Sequence, residues 1–225
     1  RPGGAANVAL NLYGLQLHTI LFSVIGNDDS ADSLLSFFEK AGLSSEGIIK
    51  SSYRRTSQKI RVMSNGQHLL RIDEEDTHSL SSEEEKAFLA HILSLWGKYK
   101  PQGIVLQDYN KGVLTPNIIT SVIDYCNAKG IPTAVDPKQK NFLAYKNCTL
   151  FKPNLKEVKE GLKITIGEIT VQNMDKVHTA LNENLHNTIS FITLSEHGVY
   201  FSDGKEQKLI PTHIRNISDV SGAGD

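Results

Sequence analysis

The sequence predicts an α/β protein built on a mostly parallel sheet, with a small β-hairpin set into it. Apolar runs of strand length alternate with stretches of helix length, the order expected of a parallel sheet. Three successive short strands each end in a polar cluster: Gln107-Asp108-Tyr109-Asn110-Lys111-Gly112, Asp136-Pro137-Lys138 and Lys152-Pro153-Asn154-Leu155-Lys156-Glu157. Open α/β sheets bind ligands at such strand ends. Between residues 53 and 73 two extended runs meet at Ser64-Asn65-Gly66, a strong hairpin signal.

The elements follow in order. Gly3-Gly4 followed by Ala5, Ala6, Val8, Ala9, Leu10 and Leu12 reads as a tight loop opening a small-residue helix. Asn7 in its first turn either faces a ligand or sits near the cap of an ordinary helix. Thr19 to Ile25 is a continuous apolar run, the mark of a strand buried on both faces. Gly26-Asn27-Asp28-Asp29 ends it, Asp28 or Asp29 caps a helix over about 31–41, and Gly42 stops that helix.

The hairpin runs out from Arg54 to Met63 and back from His68 to Asp73. Lys59 and Arg61 alternate with Ile60 and Val62, so one face is cationic, with Arg71 across the turn. That face is either a solvated surface or the inside of a lid over a site at the sheet edge. Ser82 with Glu85 forms a capping box for a helix to about Trp96. Strands follow at Ile104–Leu106, Thr133–Val135 and Leu150–Phe151, with a helix from Thr115-Pro116 to about Ala128, closed by Gly130. A helix over 169–184 leads to a strand over 188–194. Ser195-Glu196-His197-Gly198 and Asp203-Gly204 are turns between antiparallel strands that close one edge.

Composition narrows the function. The chain has 225 residues, 39% of them hydrophobic, enough for one α/β domain with a small appendage. A net charge of −1 argues against a broad nucleic-acid surface. No apolar run approaches the length that spans a bilayer. Cys126 and Cys148 lie on different elements and read as reduced thiols, which points to the cytosol. The eight histidines have no metal-ligand spacing. The sequence opens on Arg1 without an initiator Met and stops at Asp225 where a helix ought to begin, so a fragment of a longer protein is expected.

That last stretch, Asp219-Val220-Ser221-Gly222-Ala223-Gly224-Asp225, carries the strongest chemical signal. Glycines at this spacing let backbone N–H groups converge without an intervening Cβ, and a following helix N-terminus adds an anion site. A carboxylate at its mouth could take the proton of a hydroxyl that attacks a phosphoryl group.

Together these segments resemble the ribokinase-like family of carbohydrate kinases, the phosphofructokinase-B type. The resemblance rests on residues 219–225, on Gly3-Gly4-Ala5-Ala6-Asn7, on Asn154 to Glu157 as an Asn-x-x-Glu element, and on Thr193 to Gly198 as a nucleotide-phosphate turn. It implies a three-layer sandwich with a mostly parallel central sheet and a hairpin lid over residues 53–73, in one kinase domain over 1–225 truncated at both ends. Within the family, residues 3–12, 56–73, 108–115, 136–138 and 219–225 most resemble members that phosphorylate D-glycero-β-D-manno-heptose 7-phosphate at C1.

By that resemblance Asp225 is the base, and Gly222, Ala223 and Gly224 form the anion hole. Gly3, Gly4 and Asn7 hold sugar hydroxyls, Lys59, Arg61 and Arg71 pair with the 7-phosphate, and Asp108 and Lys111 complete the substrate set. Lys138, Thr193, Ser195 and Gly198 serve ATP, while Asn154 and Glu157 organise Mg²⁺ through water. A homodimer joined through the hairpin is also implied. Gln107 and Asn110 depart from the Ser and Gly of the family pattern around Asp108-Tyr109. Another sugar kinase of the same fold, or a catalytically silent sensing domain, are the alternatives.

Overall fold

The computed structural model describes residues 2–64 and 67–212. They form two compact units: the described residues of 1–99 with 111–113, and those of 100–110 with 114–225.

The first unit begins with helix α1 (Ala5–Gly14). Its N-cap is Gly4 at φ 57°, a conformation that favours glycine, and no side chain caps it. Strand β1 (Ser23–Gly26) runs parallel to β2 (Ile48–Ser51), with α2 (Asp29–Ala41) connecting them. Asp28 is the N-cap of α2, accepting from the Ala31 N–H at 2.9 Å, and Gly42 ends it in the left-handed region at φ 72°. A small core of Ala6, Phe38 and Leu43 packs with Leu10, Leu21, Leu34 and Ile48.

Strands β3 (Gln58–Ser64) and β4 (Gln67–Glu74) form the hairpin, a two-stranded antiparallel sheet of its own. A register shift follows Val62, whose partner is Leu70 while Met63 pairs with His68, so Leu69 is an extra residue on β4 and interrupts that strand's alternation. Helix α3 (Ser82–Tyr99) closes the unit and buries Phe88, Ile92 and Trp96.

The second unit is a six-stranded sheet in the order β10-β9-β8-β7-β6-β5. Strands β5 (Ile104–Gln107), β6 (Thr133–Asp136), β7 (Leu150–Phe151) and β8 (Ile189–Thr193) are parallel. The edge is antiparallel, from β9 (Val199–Ser202) and β10 (Gln207–Ile210). The helices are α4 (Pro116–Lys129), α5 (Leu155–Leu162) and α6 (Val171–Leu185). Thr115 caps α4 with Pro116 in its first turn, and Gly130 ends it at φ 67°. Ile118, Ile119, Phe151, Leu181 and Ile192 are fully buried.

Several expectations shift. The run Thr19 to Ile25 is not one long strand: β1 starts at Ser23, and upstream only Ile20 makes an isolated parallel bridge, to Ser44. The four residues of β2 were not expected as a strand, since Ile48-Ile49-Lys50-Ser51 is too short for a periodicity. The capping box of α3 is one residue earlier than Ser82/Glu85. The Ser81 N–H donates to Glu84 Oε2 at 2.9 Å, and the Glu84 N–H donates to Ser81 Oγ at 3.2 Å. Helix α6 starts at Val171 because Thr170 is its cap.

Candidate kinase site

Candidate residues fall in both units. In the first, the hairpin register sets Lys59 opposite Asp73 and Arg61 directly opposite Arg71. These four share a face, and like charges directly opposite on a sheet destabilise it. Arg71 Nη2 pairs with Asp73 Oδ2 at 2.9 Å, but among the described residues the side chains of Lys59 and Arg61 have no ion-pair or hydrogen-bond partner. Arg61 and Arg71 are thus cross-strand neighbours, and Asp73, the partner of Arg71, stands opposite Lys59. This face carries three cationic side chains and one carboxylate and is exposed to solvent.

The root of the hairpin is tightly held. Asp28 caps α2 with one oxygen and accepts from the Thr56 N–H at 2.8 Å with the other, and Thr56 Oγ1 accepts from the Gly26 N–H at 2.9 Å. The bond from Thr56 is the main influence holding the Asp28 carboxyl below its usual value. A Cβ at Gly26 would lie 2.7 Å from Thr56 N and 2.8 Å from the Arg54 carbonyl, so no side chain fits there. An open depression of about 400 Å³ lies here, lined by Asn27, Asp28, Ser51, Tyr53 and Arg55 among others. Asn27 and Arg54 were not singled out from the sequence. In the sequence this corner shows only as the Gly26-Asn27-Asp28-Asp29 run that ends a strand. Gly3 is exposed with open space around it, the Gly4 carbonyl accepts from the Asn7 N–H at 3.0 Å, and Asn7 is half-buried. The Lys111 ammonium pairs with Glu75 Oε1.

The second unit brings the strand-end residues together. Gln107 Nε2 donates to Asp136 Oδ2 at 2.7 Å, and Lys152 Nζ lies 3.0 Å from that oxygen. Lys138 Nζ pairs with Glu157 Oε1. Glu157 Oε2 accepts from the Asn154 N–H and Asn154 Oδ1 from the Glu157 N–H, each at 2.9 Å, a capping box for α5. Asn-x-x-Glu thus has a local structural role here, which the sequence reading did not consider. Thr193 at the end of β8 bridges to Asn154, and its N–H donates to the Pro153 carbonyl at 3.0 Å. Beyond it the turn holds Ser195 at φ 55° and Gly198 at φ 89°, with the Gly198 carbonyl accepting from the Leu194 N–H at 2.8 Å.

Asp108 has a different setting. It is 3% exposed and accepts from Tyr145 Oη at 2.7 Å, Asn141 Nδ2 at 3.2 Å and the Asn110 N–H at 2.7 Å. Burial, reinforced by the Asp108 carboxylate, pushes the Tyr145 phenol well up, so it remains a donor. The Asp108 carboxylate is thus hydrogen-bonded within its own unit. Cys126 and Cys148 are buried free thiols, pushed by burial up to about 11 and about 12, so neither supplies a thiolate.

The donor set can be tested against Mg²⁺. Among the described residues no three His, Cys, Asp or Glu side chains converge as a metal cage. Mg²⁺ needs none when phosphates and waters fill most of its octahedron, and the fixed carboxylate of Glu157 retains lone pairs for such a water. Asp225, Gly222, Ala223 and Gly224 lie outside the described residues. Among the described residues no helix is long and apolar enough to cross a membrane.

Comparison with known proteins places these features in a family. The chain is 35% identical over 223 residues to the bifunctional protein HldE of Wolinella succinogenes, covering 99% of this chain and 46% of the relative. It is 37% identical over 226 residues to that of Pelobacter propionicus, again covering 46% of the relative. The chain therefore spans about half the length of these curated relatives. Phosphofructokinase-2 from Escherichia coli in complex with fructose-6-phosphate superposes with a TM-score of 0.76 at 16% identity, over 99% of this chain and 72% of that one. Ribokinase from Thermotoga maritima superposes at 0.67 with 22% identity, over 100% and 70%. The fold is thus ribokinase-like. A family model for pfkB family carbohydrate kinases matches residues 1–225, and with the whole chain covered, this protein belongs to the pfkB family of carbohydrate kinases.

Proposed function

We propose that this chain transfers the γ-phosphoryl group of ATP to the C1 hydroxyl of D-glycero-β-D-manno-heptose 7-phosphate. The product is the 1,7-bisphosphate, on the way to ADP-heptose and the lipopolysaccharide core. The observation that carries a phosphorylated substrate is the hairpin: Arg61 opposite Arg71, with Lys59 and Arg61 unpartnered among the described residues. The choice of heptose is supported by the segment resemblances and by the likeness to the HldE proteins.

In this reading the C1 oxygen bonds to the γ-phosphorus while Asp225 accepts its proton. The bond from that phosphorus to the β,γ-bridging oxygen breaks and ADP leaves. The amides of Gly222, Ala223 and Gly224 stabilise the transferring group. Gly3, Gly4, Asn7 and Lys111 bind the sugar, and Asp108 supports its own loop from within. Lys138, Thr193, Ser195 and Gly198 bind the nucleotide phosphates. Asn154 and Glu157 orient waters of the Mg²⁺ that, when bound with ATP, neutralises phosphate charge.

Residues 1–225 act as one kinase domain in the cytoplasm, with 53–73 as its lid. The opposite face of the hairpin carries Ile60, Val62, Leu70 and Ile72, each 40–54% exposed, and packs on a second copy. Sedimentation of a Val62→Lys variant as a monomer is the check, and an unchanged dimer removes the hairpin from that interface.

The substrate is tested by ADP release from the full-length protein with heptose 7-phosphate, fructose 1-phosphate, fructose 6-phosphate and ribose. The reading requires the highest kcat/KM with heptose 7-phosphate. A preference for ribose would overturn the phosphate assignment, and no turnover with any sugar would point to a silent sensing domain.

A further inference from the structure

Arg54 is 8% exposed, and among the described residues no carboxylate forms an ion pair with it, although Glu84 and Asp76 act on its charge from farther off. Its guanidinium instead spans two main-chain carbonyls, Nη1 donating to Lys111 O and Nη2 to His78 O, each at 3.0 Å. Nε is buried without a partner among the described residues. Desolvating a guanidinium for neutral carbonyls is unfavourable unless the geometry it imposes is useful elsewhere.

The segments it joins make further contacts within two residues. The Leu80 N–H donates to Gly112 O at 3.1 Å. Gly112 sits at φ 76°, and a Cβ there would collide with the His78 carbonyl. Lys111 Nζ reaches Glu75, the residue that follows β4. The next two residues after Arg54 bind the hairpin root: the Arg55 N–H donates to Asp76 Oδ2 at 2.7 Å, and the Thr56 N–H to Asp28. Residues 54–56 thus tie the segment leading into β3 to the Lys111 backbone, to the segment that follows β4 and to the cap of α2.

We propose that Arg54 is a positioning residue that sets Lys111 for the sugar substrate and links it to the hairpin bearing Lys59 and Arg61. Lysine is a flexible point charge, and its aim depends on its backbone. A two-carbonyl clamp fixes that backbone with a planar fork that no lysine or glutamine reproduces. The inference rests on the sugar-kinase reading and on Lys111 contacting substrate.

The test is a double-mutant cycle in the full-length protein, using Arg54→Lys, Arg54→Gln, Lys111→Ala and the combined variants. Each single change should raise KM for heptose 7-phosphate about tenfold, with KM for ATP within about twofold. In the Lys111→Ala background, altering Arg54 should add less than about twofold, because the two act as one unit. Melting temperatures identify any variant that fails to fold, in which case Arg54→Lys carries the cycle. Additive effects, an unmoved KM on altering Arg54, or an equal loss for both substrates would reduce Arg54 to a structural staple. An unmoved KM in Lys111→Ala would overturn the inference while leaving the kinase reading intact. A wild-type protein inactive on every sugar phosphate would overturn the kinase reading itself.

Discussion

Arg61 and Arg71 stand opposite each other on an exposed hairpin, whereas Asp108 in the second unit is 3% exposed and fully engaged by Tyr145, Asn141 and the Asn110 N–H. One region keeps like charges together in water, and the other pairs the charges of Asp108, Asp136 and Glu157 with groups of its own. The second unit repeats its pattern along the strand ends, with Lys138 on Glu157 and Gln107 and Lys152 on Asp136. Exposed charges cost little to leave unpaired and are available to a ligand that arrives. Buried ones must be paired by the protein, and they set geometry. The hairpin is therefore read as a recognition surface and the strand ends as a pre-arranged frame.

The comparison can be broken at several points. The largest effect is expected at Asp225, which by family resemblance belongs to the chemistry and to neither region. Asp225→Asn should lower kcat about a hundredfold or more, with sugar and ATP affinities within a few-fold. Steady-state kinetics check this, and a variant retaining more than a tenth of wild-type kcat would remove Asp225 from the mechanism.

Asp108→Asn tests whether the frame is a frame. Exchanging an acceptor for a donor against Tyr145 and Asn141 should lower stability by about 1–3 kcal/mol, read by denaturant melts. KM for the sugar should change far less. Undiminished stability with a large rise in KM would turn Asp108 back into a substrate ligand.

A smaller effect distinguishes the regions by pH. His178 is buried on α6, with Nδ1 2.8 Å from Ser190 Oγ, a hydroxyl to which Asn187 Nδ2 also donates. Burial holds its imidazole below the usual 6.5, against the pull of Asp175 and Asp203. The unfolded chain therefore takes up this proton first as pH falls. The stability that neutral His178 provides is complete above about pH 6.5 and declines below it, by at most about 1.4 kcal/mol per pH unit. His178→Gln should flatten that slope in thermal melts from pH 7 to 5, and a slope equal to wild type would exclude His178 as its source.

The sequence made local signals readable and left long-range ones hidden. The caps of α2 and α4 and the strand-end clusters depend on neighbours in the chain, and all were visible, while the Asn65-Gly66 turn lies outside the described residues. The α3 capping box was misplaced by one residue because Ser81-Ser82 precedes Glu83-Glu84-Glu85, so two registers satisfy the same pattern. The strand β2 was hidden because four residues carry no periodicity. The setting of Asp108 depends on Tyr145, 37 positions away, and the role of Arg54 depends on carbonyls, which no side-chain pattern reports. Resemblance gave residues 154–157 a role with metal, while the capping box they form was legible and overlooked.

The most direct test of the central claim is made on the hairpin. In Arg61→Ala, KM for heptose 7-phosphate should rise at least about tenfold, as expected for losing a charge-assisted hydrogen bond worth about 1.5–3 kcal/mol. KM for ATP, and residual activity toward the unphosphorylated heptose, should scarcely change. An unchanged KM for heptose 7-phosphate would contradict the account, returning Arg61 and the face it shares with Arg71 to bulk solvent.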